Sequence, residues 1–179
     1  MSNTPAQPPI VVVMGVSGSG KSTIGALVAE ALSVPFIDAD SLHPTANVEK
    51  MAAGHPLTDE DRWPWLAQVG QALAAADDTG AVVACSALKR VYRDAILAEA
   101  PRALFLHLTG SREVLASRLE RRSGHFMPPT LLDSQLKTLE PLAADEPGVV
   151  VDVALDVMTI VSDAVAGVRE RLAASAAGS

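Results

Sequence analysis

The sequence predicts an α/β fold: a five-stranded parallel sheet flanked by helices. Two observations carry that expectation. Short apolar, β-branched runs alternate with Ala-rich stretches of helical periodicity, and the first run stops at a glycine-rich loop that opens a helix. Composition agrees. Hydrophobic residues make up 49% of the 179 residues and aromatics only 3%, so the core must be built from Val, Leu, Ile and Ala. A chain of this length fits one domain.

In order, Ile10 to Met14 is a continuous apolar run suited to a strand buried on both faces. Lys21 to Leu32 reads as a helix, Pro35 to Asp38 as a short second strand, and Thr45 to Ala53 as a helix ended by Gly54. A longer helix is expected from Asp61 to about Asp78, with Pro64 tolerable near its first turn, and Gly80 closes it. Ala81 to Cys85 is a third strand, Lys89 to Ala100 a helix, and Ala103 to Leu108 a fourth strand. Ser111 caps the next helix. A Gly- and Pro-containing loop follows around Ser123 to Pro129, then a short helix from Leu131 to Leu139. Val149 to Val153 is the fifth strand, and Asp156 caps a last helix ending near Leu172. The single domain thus spans 10–172, between loose tails at 1–9 and 173–179.

Net charge is −7, which argues against nucleic acid or an anionic membrane as partner. No signal peptide or membrane span is legible, and the lone Cys85 excludes a disulfide scaffold, so a reducing cytoplasm is the expected location. Cys85 reads as a small buried hydrophobe, and His55 and His107 as structural. Positive charge is concentrated instead at Arg62, at Lys89, Arg90 and Arg93, and at Arg118, Arg121 and Arg122.

Gly15-Val-Ser-Gly-Ser-Gly-Lys-Ser-Thr23 fits G-x-x-x-x-G-K-[ST] in full, between a buried strand and a helix. Glycine here lets backbone N–H groups turn inward around phosphate oxygens, and the helix adds its positive end. Gly15, Ser17, Gly18, Ser19, Gly20, Lys21, Ser22 and Thr23 are therefore the nucleotide-binding candidates. Lys21 reaches the β- and γ-phosphates of ATP, and the Ser22 hydroxyl holds Mg²⁺. No N-K-x-D segment of a GTPase is present, and neither the third nor the fourth strand ends in an acid. The acids stand after the second strand, at Asp38 and Asp40, which points to a small-molecule kinase. Asp38 is the candidate magnesium partner. Asp40 is the candidate to accept or orient the attacking hydroxyl's proton.

Four further segments carry a resemblance: Asp38-Ala-Asp-Ser-Leu-His43-Pro with Asn47, Lys50 and Met51; Gly54 to Leu66 with Asp59, Asp61, Arg62 and Trp65; Cys85 to Asp94; and Arg118 to Met127. In order and spacing they resemble the gluconokinase family over most of residues 10–128. The resemblance implies a P-loop fold of the nucleoside-monophosphate-kinase type with a lid over about 118–130. It also implies transfer of the ATP γ-phosphate to the 6-hydroxyl of D-gluconate, feeding the pentose phosphate or Entner-Doudoroff route, and a homodimer. The physical reading agrees. Gluconate offers a carboxylate for Lys89 and Arg93, four apart on one face of the expected helix, with Arg62 as a second prong. Its hydroxyls suit His43, Asp59, Asp61 and His125. The lid would close Arg118 and Arg122 onto the phosphates, with Arg121 solvated. A shikimate kinase is disfavoured by the absence of a Gly-Gly-Gly acceptor loop between residues 60 and 100. A regulatory nucleotide binder is disfavoured by the intact Lys21, Ser22, Asp38, Asp40 and Arg122, and a switch NTPase would hydrolyse ATP without any acceptor.

Overall fold

The computed structural model describes residues 6–121 and 129–178. Strand β1 (Ile10–Met14) is buried along its whole length, as a β-branched run flanked by strands on both sides must be. The sheet is ordered β2 (Phe36–Asp38), β3 (Ala81–Ala84), β1, β4 (Leu104–Thr109) and β5 (Gly148–Asp152). All four pairings are parallel. The first strand of the chain is thus the middle strand of the sheet. Its carboxyl end opens at the switch point where such sheets hold ligands.

Alternation along β1 divides the core in two. Val11 and Val13 pack with Ile24 and Val28 of α1 (Lys21–Leu32) and with Ile160 and Val168 of α7 (Val157–Ala177). Ile10, Val12 and Met14 pack on the other side, with Leu66 and Val69 of α3 (Asp59–Ala75) and Ile96 of α4 (Arg90–Glu99). Each such aliphatic side chain contributes about 1.5–3 kcal/mol when fully buried.

Local signals set the helix ends. After α2 (Thr45–Ala52), Gly54 takes a φ of 82° and donates its N–H to the Met51 carbonyl. Ser111 caps α5 (Arg112–Glu120) and Asp156 caps α7 through their side-chain oxygens. Helix α3 begins two residues before the expected Asp61, because Thr58 and Asp61 form a reciprocal capping box. Pro64 consequently sits in the second turn, where its ring removes one helical hydrogen bond. Helix α6 runs over Pro129–Thr138. Helix α7 continues to Ala177, beyond the expected end at Leu172, since an Ala-rich stretch favours helix.

At the other terminus, part of the expected loose tail is tied down. Pro9 accepts the Ala81 N–H, and Arg102 donates to Gln7 and to the Pro8 carbonyl. Cys85 is buried and its thiol is pushed up to about 12 by burial, which makes it inert. His107 is buried as well. No helix among the described residues is long and apolar enough to cross a membrane.

Candidate active site

The loop leaving β1 is shaped by three glycines with positive φ, namely Gly15 (150°), Gly18 (85°) and Gly20 (87°). Two of them are sterically required as well. A Cβ on Gly15 would lie 2.8 Å from the Leu108 carbonyl, and one on Gly18 would lie 2.9 Å from the Leu115 carbonyl. Helix α5 therefore packs directly on the loop. The loop is braced by Val16, whose carbonyl accepts from the Ser19 N–H (3.2 Å), the Ser19 hydroxyl (2.7 Å) and Lys21 Nζ (3.3 Å). The Ser19 side chain is fully buried and turned into the loop. Helix α1 follows with neither a capping side chain nor an acid in its first turn, so its positive end is directed at the loop. The Ser17 N–H donates to Gln135 Oε1 of α6 at 2.7 Å, a contact the sequence did not suggest.

Beside this loop, a cleft of about 340 Å³ is lined by Gly18, Gly20, Thr23, Ile24, Arg118, Arg121 and Val157. Arg118, one of the lining residues, donates to the Val153 carbonyl. Arg121, expected to be solvated, is exposed and lines the same cleft as Arg118. Arg122 and His125, with the central part of the expected lid, lie outside the described residues.

On the opposite side of the loop, the Ser22 hydroxyl donates to Asp38 Oδ2 at 3.1 Å. Asp38 Oδ1 accepts the Asp40 N–H at 3.0 Å, and its carbonyl accepts from Ser41. These bonds cap a 3₁₀ turn over Ala39–Leu42. Asp40 is thus presented by a turn rather than by strand alternation. Ser22 and Asp38 form a hard-oxygen pair next to a phosphate loop, a donor set suited to Mg²⁺.

The 3₁₀ turn is fixed from below by Trp65, whose indole N–H donates to the Ala39 carbonyl at 2.8 Å. His43 stacks on the same indole, ring centroids 4.1 Å apart. Asn47 Nδ2 donates to the Asp61 carbonyl (2.9 Å) and faces His43 Nδ1 at 3.3 Å. A donor opposite Nδ1 makes that nitrogen the acceptor and leaves the ring proton on Nε2. Burial lowers the His43 pKa, with Asp40 opposing the shift and Arg62 adding to it. His43 is therefore neutral at pH 7 and lies within the field of Asp40.

Next to it, Asp59 gathers a cationic pocket. Tyr92 donates its hydroxyl to Asp59 Oδ1 at 2.5 Å, Lys89 Nζ to Oδ2 at 3.4 Å, and Arg62 Nη1 lies 3.7 Å away. Arg62 and Lys89 also lie over the Tyr92 ring, at 5.6 and 5.5 Å respectively. The Tyr92 hydrogen bond is the main cause that holds the Asp59 carboxyl below its usual range. Asp61, in contrast, is used up. It accepts from Lys50 at 2.5 Å and from the Thr58 N–H at 2.8 Å, and its pKa falls to about 2.

Arg93 does not join this pocket, contrary to the expectation. Lys89 is the residue before α4, with extended backbone, so the helical i, i+4 relation to Arg93 does not bring the two side chains together. Arg93 is fully buried and forms a two-pronged pair with Glu146, at 2.7 and 3.0 Å. Its remaining nitrogen donates to the Ala87 and Leu88 carbonyls. It braces the loop that presents Lys89.

A phosphate-binding loop at the switch point, an acidic pair beside it and a separate cluster of Arg62, Lys89 and Tyr92 around Asp59 fit the class of P-loop small-molecule kinases. Comparison with known proteins narrows the class. The family model described as shikimate kinase matches residues 17–155. A gluconokinase of Gluconobacter oxydans is 50% identical over 143 residues, covering 79% of this chain and 80% of that protein. A probable gluconokinase of Xenopus tropicalis is 46% identical over 171 residues, covering 86% and 90%. The crystal structure of a gluconokinase from Sinorhizobium meliloti superposes with a TM-score of 0.88 at 50% identity, covering 96% and 98%. The chain belongs to the gluconokinase family.

Proposed function

We propose that this chain catalyses ATP plus D-gluconate to ADP plus 6-phospho-D-gluconate, with the two substrates entering from opposite sides of the Gly15–Thr23 loop. The observation that carries the reading is the pairing of that loop with a separate pocket of Arg62, Lys89 and Tyr92 organised by one carboxylate. A substrate carboxylate finds there the donors that Asp59 already orders.

Lys21 and the N-terminus of α1 neutralise the phosphates, with Arg118 and Arg122 as further cations. Ser22 and Asp38 would hold Mg²⁺, which would supply further neutralisation of the phosphate charge. Asp40 orients the 6-hydroxyl and takes its proton, while His43 offers its Nε2–H to a substrate hydroxyl. His125 is a further hydroxyl partner in this reading. A cytoplasmic homodimer completes it, and sedimentation of the purified chain tests the assembly.

An ADP-release assay across sugar acids, shikimate and nucleoside monophosphates tests the substrate. Gluconate should give the highest kcat/KM, and glucose, which lacks the carboxylate, should be a poor acceptor. Preference for shikimate or a nucleotide would overturn the reading.

A further inference from the structure

The contact between α6 and the nucleotide loop has no counterpart in the roles above. Ser17 and Gln135 are 118 positions apart, yet the Ser17 N–H meets Gln135 Oε1 at 2.7 Å in a half-buried setting. A backbone N–H is only a donor, so it fixes the orientation of the amide: the carbonyl oxygen faces the loop and the NH₂ faces away. Helix α6 is itself anchored. Leu132 is 1% exposed and packs in the same core cluster as Val16 and Leu115, and Asp133 accepts two bonds from Arg112 of α5, at 2.6 and 3.2 Å. Gln135 is therefore presented from a firm support.

The chain that leaves α6 then reaches the acceptor side. The Glu140 N–H donates to the Leu88 carbonyl at 2.8 Å, and Glu140 Oε1 accepts the Arg90 N–H at 3.1 Å. Glu146 holds Arg93. One continuous segment, 135–146, thus touches the phosphate loop at its start and braces the Lys89 loop along its length.

We propose that Gln135 is a positioning residue for phosphoryl transfer. Its amide oxygen holds the Ser17 end of the phosphate loop in register with the segment that carries the acceptor loop. The inference rests on the assignment of Gly15–Thr23 as the ATP site, so nucleotide binding is measured separately from turnover.

Gln135→Met keeps length and bulk but removes the acceptor, and Gln135→Glu keeps an acceptor but adds a negative charge beside the phosphates. Leaving the Ser17 N–H unpaired should lower kcat/KM for ATP about tenfold or more, with gluconate KM unchanged. Gln135→Glu should recover kcat relative to Gln135→Met, yet raise ATP KM. That rise should shrink as salt is added, because salt screens the repulsion between the added carboxylate and the phosphates. A merely structural role would be rescued by Glu without any salt-dependent KM effect. Calorimetric binding of Mg·ATP to parent, Gln135→Met and Lys21→Ala supplies the control. Loss of binding in Lys21→Ala with parental kinetics in a folded Gln135→Met overturns the Gln135 role. Tighter ATP binding in Gln135→Met overturns it as well, since the contact would then oppose the nucleotide. Equal binding by parent and Lys21→Ala overturns the site assignment instead.

Discussion

Arg93 and Glu146 offer the clearest separation between a binding role and a structural one. Both side chains are essentially sealed, at 0% and 2% exposure, and joined at two points. Arg93 pulls the Glu146 carboxyl below its usual range, with the Ala143 N–H contributing. Removing either partner strands a charge out of water, at a cost of about 3–5 kcal/mol. For a chain of this size each kcal/mol shifts Tm by roughly 2–4 °C, so Arg93→Met or Glu146→Gln should lower Tm by roughly 6–20 °C. Arg93→Met also releases the Ala87 carbonyl, and Ala87 sits at a φ of 43°, a conformation costing L-residues about 1–2 kcal/mol. Arg93→Met/Glu146→Leu should be less destabilised than the sum of the single changes, because no lone charge remains buried. It should not regain parental stability, because the Ala143 N–H and the Ala87 carbonyl also lose partners. The assay is thermal and urea unfolding of all four proteins, with steady-state kinetics on those that fold at 25 °C. A Tm within a degree or two of the parent in both single variants, together with a selective rise of gluconate KM in Arg93→Met, would refute the argument and return Arg93 to the substrate pocket.

Three further outcomes are expected. Asp40→Asn should cut kcat by about 10²–10⁴-fold with ATP KM near parental, whereas Asp38→Asn should show a loss that added Mg²⁺ partly relieves; kinetics of both over a magnesium series distinguish them. Tyr92→Phe removes the hydroxyl that orders Asp59 and lies 3.5 Å from Arg62, so gluconate KM should rise about tenfold, consistent with a hydrogen bond to a charged group, while ATP KM stays put. His43 has a pKa below the ordinary histidine value of 6.5, so it is neutral at pH 7 and gains a proton only as pH falls below that value. The proton would break the Asn47 contact and place a positive charge beside Asp40, so kcat/KM for gluconate should decline on acidification, and a pH profile of His43→Gln should lack that step.

What the sequence made legible follows from the range of the interactions involved. The strands, the phosphate loop and the caps at Ser111 and Asp156 are written in contiguous residues, and each recurs in the structure within a residue or two. The link between Ser22 and Asp38 was also within reach, because both motifs leave the carboxyl edge of one parallel sheet, separated only by β3. Reading failed where side-chain direction depended on a partner far along the chain. Lys89 and Arg93 look equivalent as cations four residues apart, but a distant acid, Glu146, draws one inward while the other remains with Asp59.

The same reasoning explains Asp61 and Asp59, two acids one residue apart from a shared neighbour. Position in the capping box commits Asp61 to Thr58 and Lys50, whereas Asp59, two residues nearer the helix start, stays available to Tyr92, Lys89 and Arg62. Local capping chemistry thus decides which carboxylate gathers Tyr92, Lys89 and Arg62. Exchanging the two roles would require moving the helix start, not merely changing a side chain. An acceptor pocket built in this way derives its charge pattern from the stability of α3 itself. Thr58→Ala should therefore weaken gluconate binding without touching any residue of the pocket. Loss of a helix cap costs about 1 kcal/mol, so a rise of a fewfold in gluconate KM, with ATP KM unchanged, is the expected reading. If both constants stay parental while Tm falls, the cap serves stability alone and the pocket is held by Tyr92 and Arg62 without it.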